Sequence, residues 1–197
     1  LAELTWHCGA NHTVQLLPRL TQLLNQAQLN IKSATGVIVA KGPGSFNGLR
    51  VGVSTAKGLA FTLGIPVVGV STLAAAAYQH AATSLPVCAL LPAGREEIAA
   101  AIYQMKNSKW RQLVAEHITT VAALCPQITT RTIFCGEFPE SVALGLSQQL
   151  EPRAIIPPAA ARLRRAAFLA ELGPPRLAAR DYDNPATLQP LYLRRPP

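Results

Sequence analysis

Carboxylates are scarce in this sequence: its 197 residues include 10 Asp and Glu against 18 Lys and Arg, for a net charge of +8. No aspartate occurs before Asp181, and the acidic residues ahead of it are all glutamates, at positions 3, 96, 97, 116, 137, 140, 151 and 171. Enzymes that transfer phosphoryl groups use carboxylates to hold magnesium and to orient the attacking water. The shortage of acids therefore argues against hydrolysis of ATP by this chain.

Motifs for metal and redox chemistry are also missing. The cysteines, Cys8, Cys88, Cys125 and Cys135, form no C-x-x-C pair, and we predict that they are buried, reduced thiols. The histidines are scattered, and no two of them lie four residues apart, as a metal-binding pair on a helix would require. We therefore assign no metal site and no catalytic residue from the sequence.

Long apolar runs are absent as well, although 49% of the residues are hydrophobic. No stretch of about 18 apolar residues without a charge occurs, so neither a membrane-spanning helix nor a membrane partner is expected. The chain does not open with a basic segment followed by an apolar one, as a secretory signal would. Together with the cysteine pattern, these absences predict a cytoplasmic protein.

What the sequence does contain is a β-α-β unit over residues 36–73. The apolar run 36–40 predicts a short buried strand, and the glycine-rich turn GPGSFNG follows it at 42–48. Apolar residues at helical spacing predict a helix over 49–63, which Gly64 and Pro66 end. Residues 67–70 predict a second buried strand, which completes the unit.

The glycine-rich turn does not match the standard phosphate-binding motifs. A Walker loop requires Lys and Ser or Thr after its second glycine, where this chain has Leu49 and Arg50. A dinucleotide-binding fingerprint requires a third glycine where Asn47 stands. Two interpretations stay open: the glycines let the chain turn and pack, or the loop amides receive an anion or a nucleotide beside Arg50. The loop residues concerned are Gly42, Gly44, Ser45 and Gly48.

Small residues recur every four positions along the predicted helix. They form one predicted stripe, which consists of Gly48, Gly52, Ala56, Ala60 and Gly64. Glycine inside a helix costs roughly 1 kcal/mol relative to alanine, so the close approach of another helix must offset that cost. The periodicity alone does not decide whether the other helix belongs to this chain or to another subunit.

Residues 42–73, GPGSFNGLRVGVSTAKGLAFTLGIPVVGVSTL, resemble the signature segment of the TsaB (YeaZ) family. In that family, GPGSFTGLRVG precedes a helix rich in small residues and the sequence GIPLVGVSTL, so Asn47 stands where Thr is usual. The resemblance implies an α/β, actin/Hsp70-like (ASKHA) fold with two ribonuclease H-like lobes. Family members open with two strands before the point at which this chain begins, so it also implies that N-terminal strands are missing here.

The same resemblance implies a function. Members of the family are subunits of the bacterial machinery that makes threonylcarbamoyl-adenosine next to the anticodon of tRNAs reading codons that begin with A. The TsaB subunit is understood as a non-catalytic partner of the catalytic TsaD subunit, and a TsaE-like P-loop ATPase completes the set. We therefore expect a TsaD-like partner, a TsaE-like ATPase, indirect contact with tRNA through the complex, and a self-dimer when the partner is absent.

Two helices, 14–29 and 49–63, are predicted to form the partner face. Both carry apolar residues at helical spacing, and the small-residue stripe sets the distance of approach. No cofactor of the chain's own is expected, only a weak nucleotide at the partner interface. The predicted interface residues are Leu16, Leu20, Leu23, Leu24, Arg50, Gly52, Val53, Ala56, Lys57 and Ala60.

The pattern along the chain predicts two lobes and a tail. The first lobe, 1–84, carries the loop and the partner helices; the second lobe covers 85–172; and a proline-rich, largely extended tail, 173–197, packs back on the first lobe. A helix over 159–172 is predicted to carry the basic cluster Arg162, Arg164 and Arg165. That cluster is either a solvated helix face or a surface for phosphates.

The sequence is also compatible with two other functions. One is an active enzyme, either an actin-like ATPase or a peptidase that acts on its partner. The other is a free-standing RNA-binding module, although no RNA-binding motif with exposed aromatic residues is visible.

Overall fold

The structure is a computed structural model that describes residues 2–7, 9 and 11–194. Its α-helices are α1 (His12–Gln26), α2 (Phe46–Leu63), α3 (Thr72–Tyr78), α4 (Val121–Leu124), α5 (Glu140–Leu150) and α6 (Ala166–Ala178). Short 3-10 helices cover Ile31–Ser33, Cys125–Gln127 and Ala159–Arg162. The strands are β1 (Val37–Gly42), β2 (Val67–Ser71), β3 (Val87–Gly94), β4 (Glu97–Lys106), β5 (Lys109–Thr119), β6 (Thr132–Cys135) and β7 (Ala154–Ile155).

The chain divides into two compact units that do not follow the predicted boundaries. The first unit contains residues 1–71 and 165–191, and the second contains 72–164 and 192–197. The first division therefore falls between Ser71 and Thr72 rather than after residue 84, because α3 packs on the sheet of the second unit. Residues 165–172 belong to the first unit rather than to the second.

The first unit is built on the β-α-β segment. Strands β1 and β2 pair in parallel, with Val37 opposite Val67 and Ala40 opposite Val70, and α2 connects them. Side chains alternate between the faces of a strand. On one face Val37 and Val39 pack on the α2 cluster, while on the other Ile38 meets α6.

Helix α6 corrects the prediction for residues 159–178. The predicted helix 159–172 is split into a 3-10 turn at Ala159–Arg162 and a helix that starts at Ala166. The helix then continues through Pro174 and Pro175, where the sequence predicts the start of an extended tail. Contact with β1 explains this, because Gly173 lies directly against Ile38 and the Leu177 side chain lies 2.8 Å from a Cβ built on Gly36.

The second unit holds a five-stranded sheet in the order β5-β4-β3-β6-β7. Strands β3, β4 and β5 are antiparallel neighbours, and β6 and β7 run parallel to β3. Successive residues of β3 are buried, because both faces of the sheet are covered. Cys88 and Leu90 belong to the cluster with α5, whereas Val87, Ala89 and Leu91 belong to the cluster with α3.

The prediction of buried thiols is confirmed for the cysteines that the structure describes. Cys88, Cys125 and Cys135 are free and buried, while Cys8 lies outside the described residues. Burial raises the pKa of the Cys88 thiol, and it raises the pKa of Cys135 to about 12. These thiols are therefore protonated and unreactive at neutral pH.

Candidate functional site

Helix α2 starts and ends at residues suited to its termini. Ser45 is the N-cap, and its hydroxyl accepts a 3.4 Å hydrogen bond from the Gly48 amide. The helix starts at Phe46 and not at Leu49, because this cap comes three residues earlier than the periodicity indicates. Gly64 ends the helix in the left-handed conformation (φ 66°), as its position in the sequence predicts.

The glycine-rich loop ahead of α2 is held by the chain's own backbone. Gly42 has φ +117°, and a Cβ built there would lie 2.7 Å from the carbonyl oxygen of Leu191. The Leu191 amide also donates to the Lys41 carbonyl oxygen at 2.6 Å. Gly42 is therefore required for a turn that packs closely on the segment around Leu191, which favours the packing interpretation for this glycine.

The other predicted loop residues are less constrained. A Cβ on Gly44 would make only ordinary contacts with Leu49, and Gly44 is exposed. A Cβ on Gly48 would lie 3.2 Å from His12 Nε2, so Gly48 makes room for the first residue of α1. Binding of an anion or a nucleotide at this loop stays a prediction.

The small-residue stripe does not keep to one face of α2, which corrects part of the predicted interface. Steps of four residues turn a helix by about 40° beyond a full turn, so a run of four steps drifts by about 160°. The stripe starts beside His12 at Gly48 and passes into the core at Ala56 and Ala60.

Three of the predicted interface residues are consequently buried within their own unit. Val53, Ala56 and Ala60 pack with Val67 and Leu188. Their side chains form the core between α2 and β2, so they do not present a surface to a partner. The prediction of direct partner contact at these three positions is wrong.

Lys57 is also engaged within the unit. Its Nζ donates a 3.2 Å hydrogen bond to the carbonyl oxygen of Leu188. Gly52 differs, because no described atom lies within 4 Å of a Cβ built on it. Arg50 is exposed, and its guanidinium carbon lies 5.1 Å from the centre of the Phe46 ring. Gly52 and Arg50 therefore remain available to a partner.

The outer side of α2 carries two aromatic residues that the sequence prediction missed. Phe61 is 85% exposed although it is a large apolar residue, and Phe46 is also exposed. Phe61 follows Arg50 and Ser54 at helical spacing, and these three positions centre about 90° around the helix from the buried Val53 and Ala60. The signal was present in the sequence, because the apolar positions of this helix extend around its whole circumference.

Helix α1 lies beside α2 and carries several leucines, but it is not buried. None of its residues within the described span His12–Gln26 is buried. The predicted contacts Leu16, Leu20, Leu23 and Leu24 are half-buried. Val14 and Leu17, which were not among the predicted contacts, are 68% and 51% exposed. We call the exposed and half-buried apolar side chains of α1, taken with Phe46, Arg50 and Phe61 of α2, the α1/α2 face.

The predicted basic cluster is dispersed by the fold. Arg162 is buried in the 3-10 turn, whereas Arg164 donates to Glu137 at 2.8 Å and Arg165 donates to Glu3 at 2.6 Å. The three arginines therefore do not lie on one helix face, and two of them are neutralised by close carboxylates. The prediction of a shared helix face is wrong because residues 163–165 are not helical.

Comparison with known proteins identifies the family. The model of the family described as TsaD, tRNA N6-adenosine threonylcarbamoyltransferase, matches residues 7–173. A Bacillus subtilis protein named tRNA threonylcarbamoyladenosine biosynthesis protein TsaB is 33% identical over 122 residues, which cover 62% of this chain and 53% of that protein. The chain belongs to this family, on its TsaB (YeaZ) branch. The chain thus spans about half of the length of this TsaB relative.

Two further matches cover most of this chain. An uncharacterised protein of Mycobacterium tuberculosis is 31% identical over 185 residues, which cover 94% of this chain and 76% of that protein. The solved structure described as YeaZ from Pseudomonas aeruginosa superposes with a TM-score of 0.75 at 25% identity and covers 92% of this chain and 84% of that one. The predicted α/β, actin/Hsp70-like fold is therefore confirmed.

The described residues contain neither a membrane-spanning helix nor a cluster of metal ligands. Among the helices in the described residues, none combines the length and the apolar character needed to cross a bilayer. Within the same residues, His, Cys, Asp and Glu nowhere form a group of three or more that could hold a metal ion. The α1/α2 face thus remains the main candidate surface.

Proposed function

We propose that this chain takes part in the biosynthesis of threonylcarbamoyl-adenosine in tRNA as a non-catalytic subunit that supports a TsaD-like catalytic partner. The names of its TsaB relatives support the process. The scarcity of carboxylates supports the non-catalytic role, because phosphoryl transfer depends on such groups.

The α1/α2 face is the single observation that carries this proposal. Helix α1 has no buried residue in its described span, and Phe61 on α2 is 85% exposed, so both helices leave apolar side chains in water. Such patches on soluble proteins mark interaction sites. Aromatic and arginine side chains are the usual anchors of interfaces, and Phe46, Arg50 and Phe61 lie on this surface.

The proposal includes three further expectations for the same face. Without its partner, the chain pairs with a second copy through this surface, since exposed apolar area associates in water. A TsaE-like ATPase joins the complex, and tRNA is reached through the complex rather than by this chain alone. Nucleotide binding is weak, because Ser45 already accepts from the Gly48 amide and the Leu191 carbonyl group lies against Gly42.

Calorimetry with the TsaD-like protein of the same organism tests the face. We expect Phe61→Ser to weaken binding about tenfold or more, which corresponds to 1.4 kcal/mol. Leu144→Ser is the matched control, because Leu144 is also a large exposed apolar residue but lies on α5 in the second unit. Leu17→Ser provides a second arm on α1.

Binding and ATP-turnover measurements distinguish a partner subunit from an active ATPase. Binding that is unchanged by both Phe61→Ser and Leu17→Ser would exclude the α1/α2 face as the partner surface. Turnover of ATP by the purified chain alone would overturn the non-catalytic role, whatever the binding data show.

A further inference from the structure

A cavity of about 320 Å³ in the second unit has a buried arginine in its wall. Its lining residues are Gly136, Glu137, Phe138, Ala159 and Arg162. A volume of this size is at the lower end of those that hold small molecules. The cavity shares no residue with the α1/α2 face, so the function proposed above does not account for it.

Arg162 is only 7% exposed, yet its charge has weak partners. Its Nη1 donates one long hydrogen bond, 3.5 Å, to the Phe138 carbonyl oxygen, and its Nη2 lies 3.9 Å from the nearer Glu140 oxygen. Its Nε has no hydrogen-bond partner among the described residues. A buried charge is stable only when its donors are satisfied, so this guanidinium has donors available for a ligand.

The Phe138 ring lies against this guanidinium. The guanidinium carbon lies 4.3 Å from the centre of the ring, as in a cation–π contact. The contact limits the movement of the arginine side chain and leaves Nε without a hydrogen-bond partner among the described residues. A planar edge with parallel donors matches the two oxygens of a carboxylate.

The charges around the cavity indicate which anion it accepts. Burial raises the pKa of Glu137, but the hydrogen bonds and charge of Arg164 outweigh that effect, so the net pKa is below the ordinary value and Glu137 is ionised. Glu140 is mostly exposed beside Arg162. Because Arg164 is already paired with Glu137, the second charge of a dianion would find no unpaired guanidinium at this cavity, and a single negative charge fits Arg162 better.

We propose that this cavity binds the carboxylate of a small organic molecule, with both oxygens on Arg162 and the apolar part of the molecule along Phe138 and Ala159. Inorganic phosphate presents oxyanions to the same arginine but carries more charge at neutral pH and has no apolar part. It is therefore the competitor against which the assignment is tested.

Titration of the labelled protein with benzoate, acetate and phosphate, followed by NMR, tests the proposal. We expect saturable shifts at Gly136 and Phe138 with benzoate, weaker binding of acetate, and weaker binding still of phosphate. Arg162→Gln should weaken benzoate binding about tenfold or more, because charged hydrogen bonds are lost. Arg131→Gln is the matched control, since Arg131 is an exposed arginine of the same unit.

A second variant keeps the test valid if Arg162→Gln does not fold. Ala159 is exposed, so Ala159→Trp can cover the cavity while Arg162 is kept, and we expect it to abolish benzoate binding. The proposal is overturned by the absence of saturable benzoate binding at millimolar concentration, or by binding that Ala159→Trp leaves unchanged. Phosphate binding as tight as that of benzoate would overturn the carboxylate assignment.

Discussion

Arg176 and Asp183 bind the carbonyl and the amide group of the same residue of β2, Gly69, and also bind each other. The Arg176 guanidinium donates to the Gly69 carbonyl oxygen at 2.9 Å, and the Gly69 amide donates to Asp183 Oδ2 at 2.8 Å. The same Asp183 oxygen accepts from Arg176 Nη2 at 3.2 Å. Since the Asp183 amide also donates to the Val67 carbonyl oxygen, this segment adds a bridge along β2 and fastens α6 to it.

This arrangement predicts that Asp183→Ala destabilises the protein. The substitution removes an acceptor for a β2 amide and the carboxylate that pairs with Arg176, so we expect a loss of about 2 kcal/mol in the free energy of unfolding. Urea denaturation measures this free energy of unfolding. Asp181→Ala is the control, because Asp181 also pairs with Arg176 but is exposed, and its effect should be clearly smaller. Equal effects would show that contact with the Gly69 amide contributes little.

A comparison of Ala56→Leu with Gly52→Leu tests whether α2 is closely packed at Ala56 and open to a partner at Gly52. Ala56 is buried, so the larger side chain should cost about 1–3 kcal/mol of stability. Space is open at Gly52, so Gly52→Leu should leave the protein folded and should act on partner binding instead. Thermal denaturation and calorimetry with the partner separate the two effects. Similar unfolding in both variants would contradict the placement of Gly52.

Gly173→Ala should destabilise α6. A Cβ at this position would overlap with Ile38, which is β-branched and cannot rotate away easily. We expect a loss of about 1–3 kcal/mol. Gly58→Ala is the matched control, because no described atom lies within 4 Å of its built Cβ, and it should stabilise α2 by about 0.5–1 kcal/mol.

A double-mutant cycle completes this test. Ile38→Ala makes room for the new methyl group, so Gly173→Ala should cost less in that background than in the wild type. Equal costs in the two backgrounds would show that the loss arises elsewhere in the helix.

Stability should fall at acidic pH in part because of Glu3. Hydrogen bonds from Arg165, and secondarily from the Ala167 amide, hold the pKa of Glu3 below its ordinary value of 4.5. A carboxylate with a lowered pKa stabilises the fold above its unfolded pKa, and this contribution is lost as the pH falls through the folded pKa. Urea denaturation at a series of pH values should therefore show a shallower decline for Glu3→Gln than for the wild type below about pH 4.5. If stability fell with pH equally in Glu3→Gln and in the wild type, the ion pair between Glu3 and Arg165 would not contribute to the pH dependence.

The secondary structure of the β-α-β segment could be predicted from local pattern. Strands β1 and β2 and helix α2 overlap the predicted segments 36–40, 67–70 and 49–63, because apolar periodicity and turn residues act over short distances. Helix α6 could not be predicted in this way. Its two consecutive prolines predict that the helix ends, and only contact with β1 explains why the helix continues through them.

The candidate sites also combine features that the sequence predicts with features that only tertiary contacts decide. The sequence indicated two apolar helices, but the drift of a four-residue repeat around a helix placed Ala56 and Ala60 in the core and left Phe61 outside. The buried Arg162 could not be predicted, because its neighbours Phe138 and Glu140 are distant in sequence.

The sequence by itself determined the family, the strand–loop–helix–strand unit and the scarcity of acids, since each depends on the identity and order of nearby residues. Only the tertiary structure decided which side of α2 is buried, where the two units divide, and which carboxylate neutralises each arginine. Several of those outcomes depend on contacts between residues far apart in the chain, as between Glu3 and Arg165, and no local sequence pattern predicts such a contact.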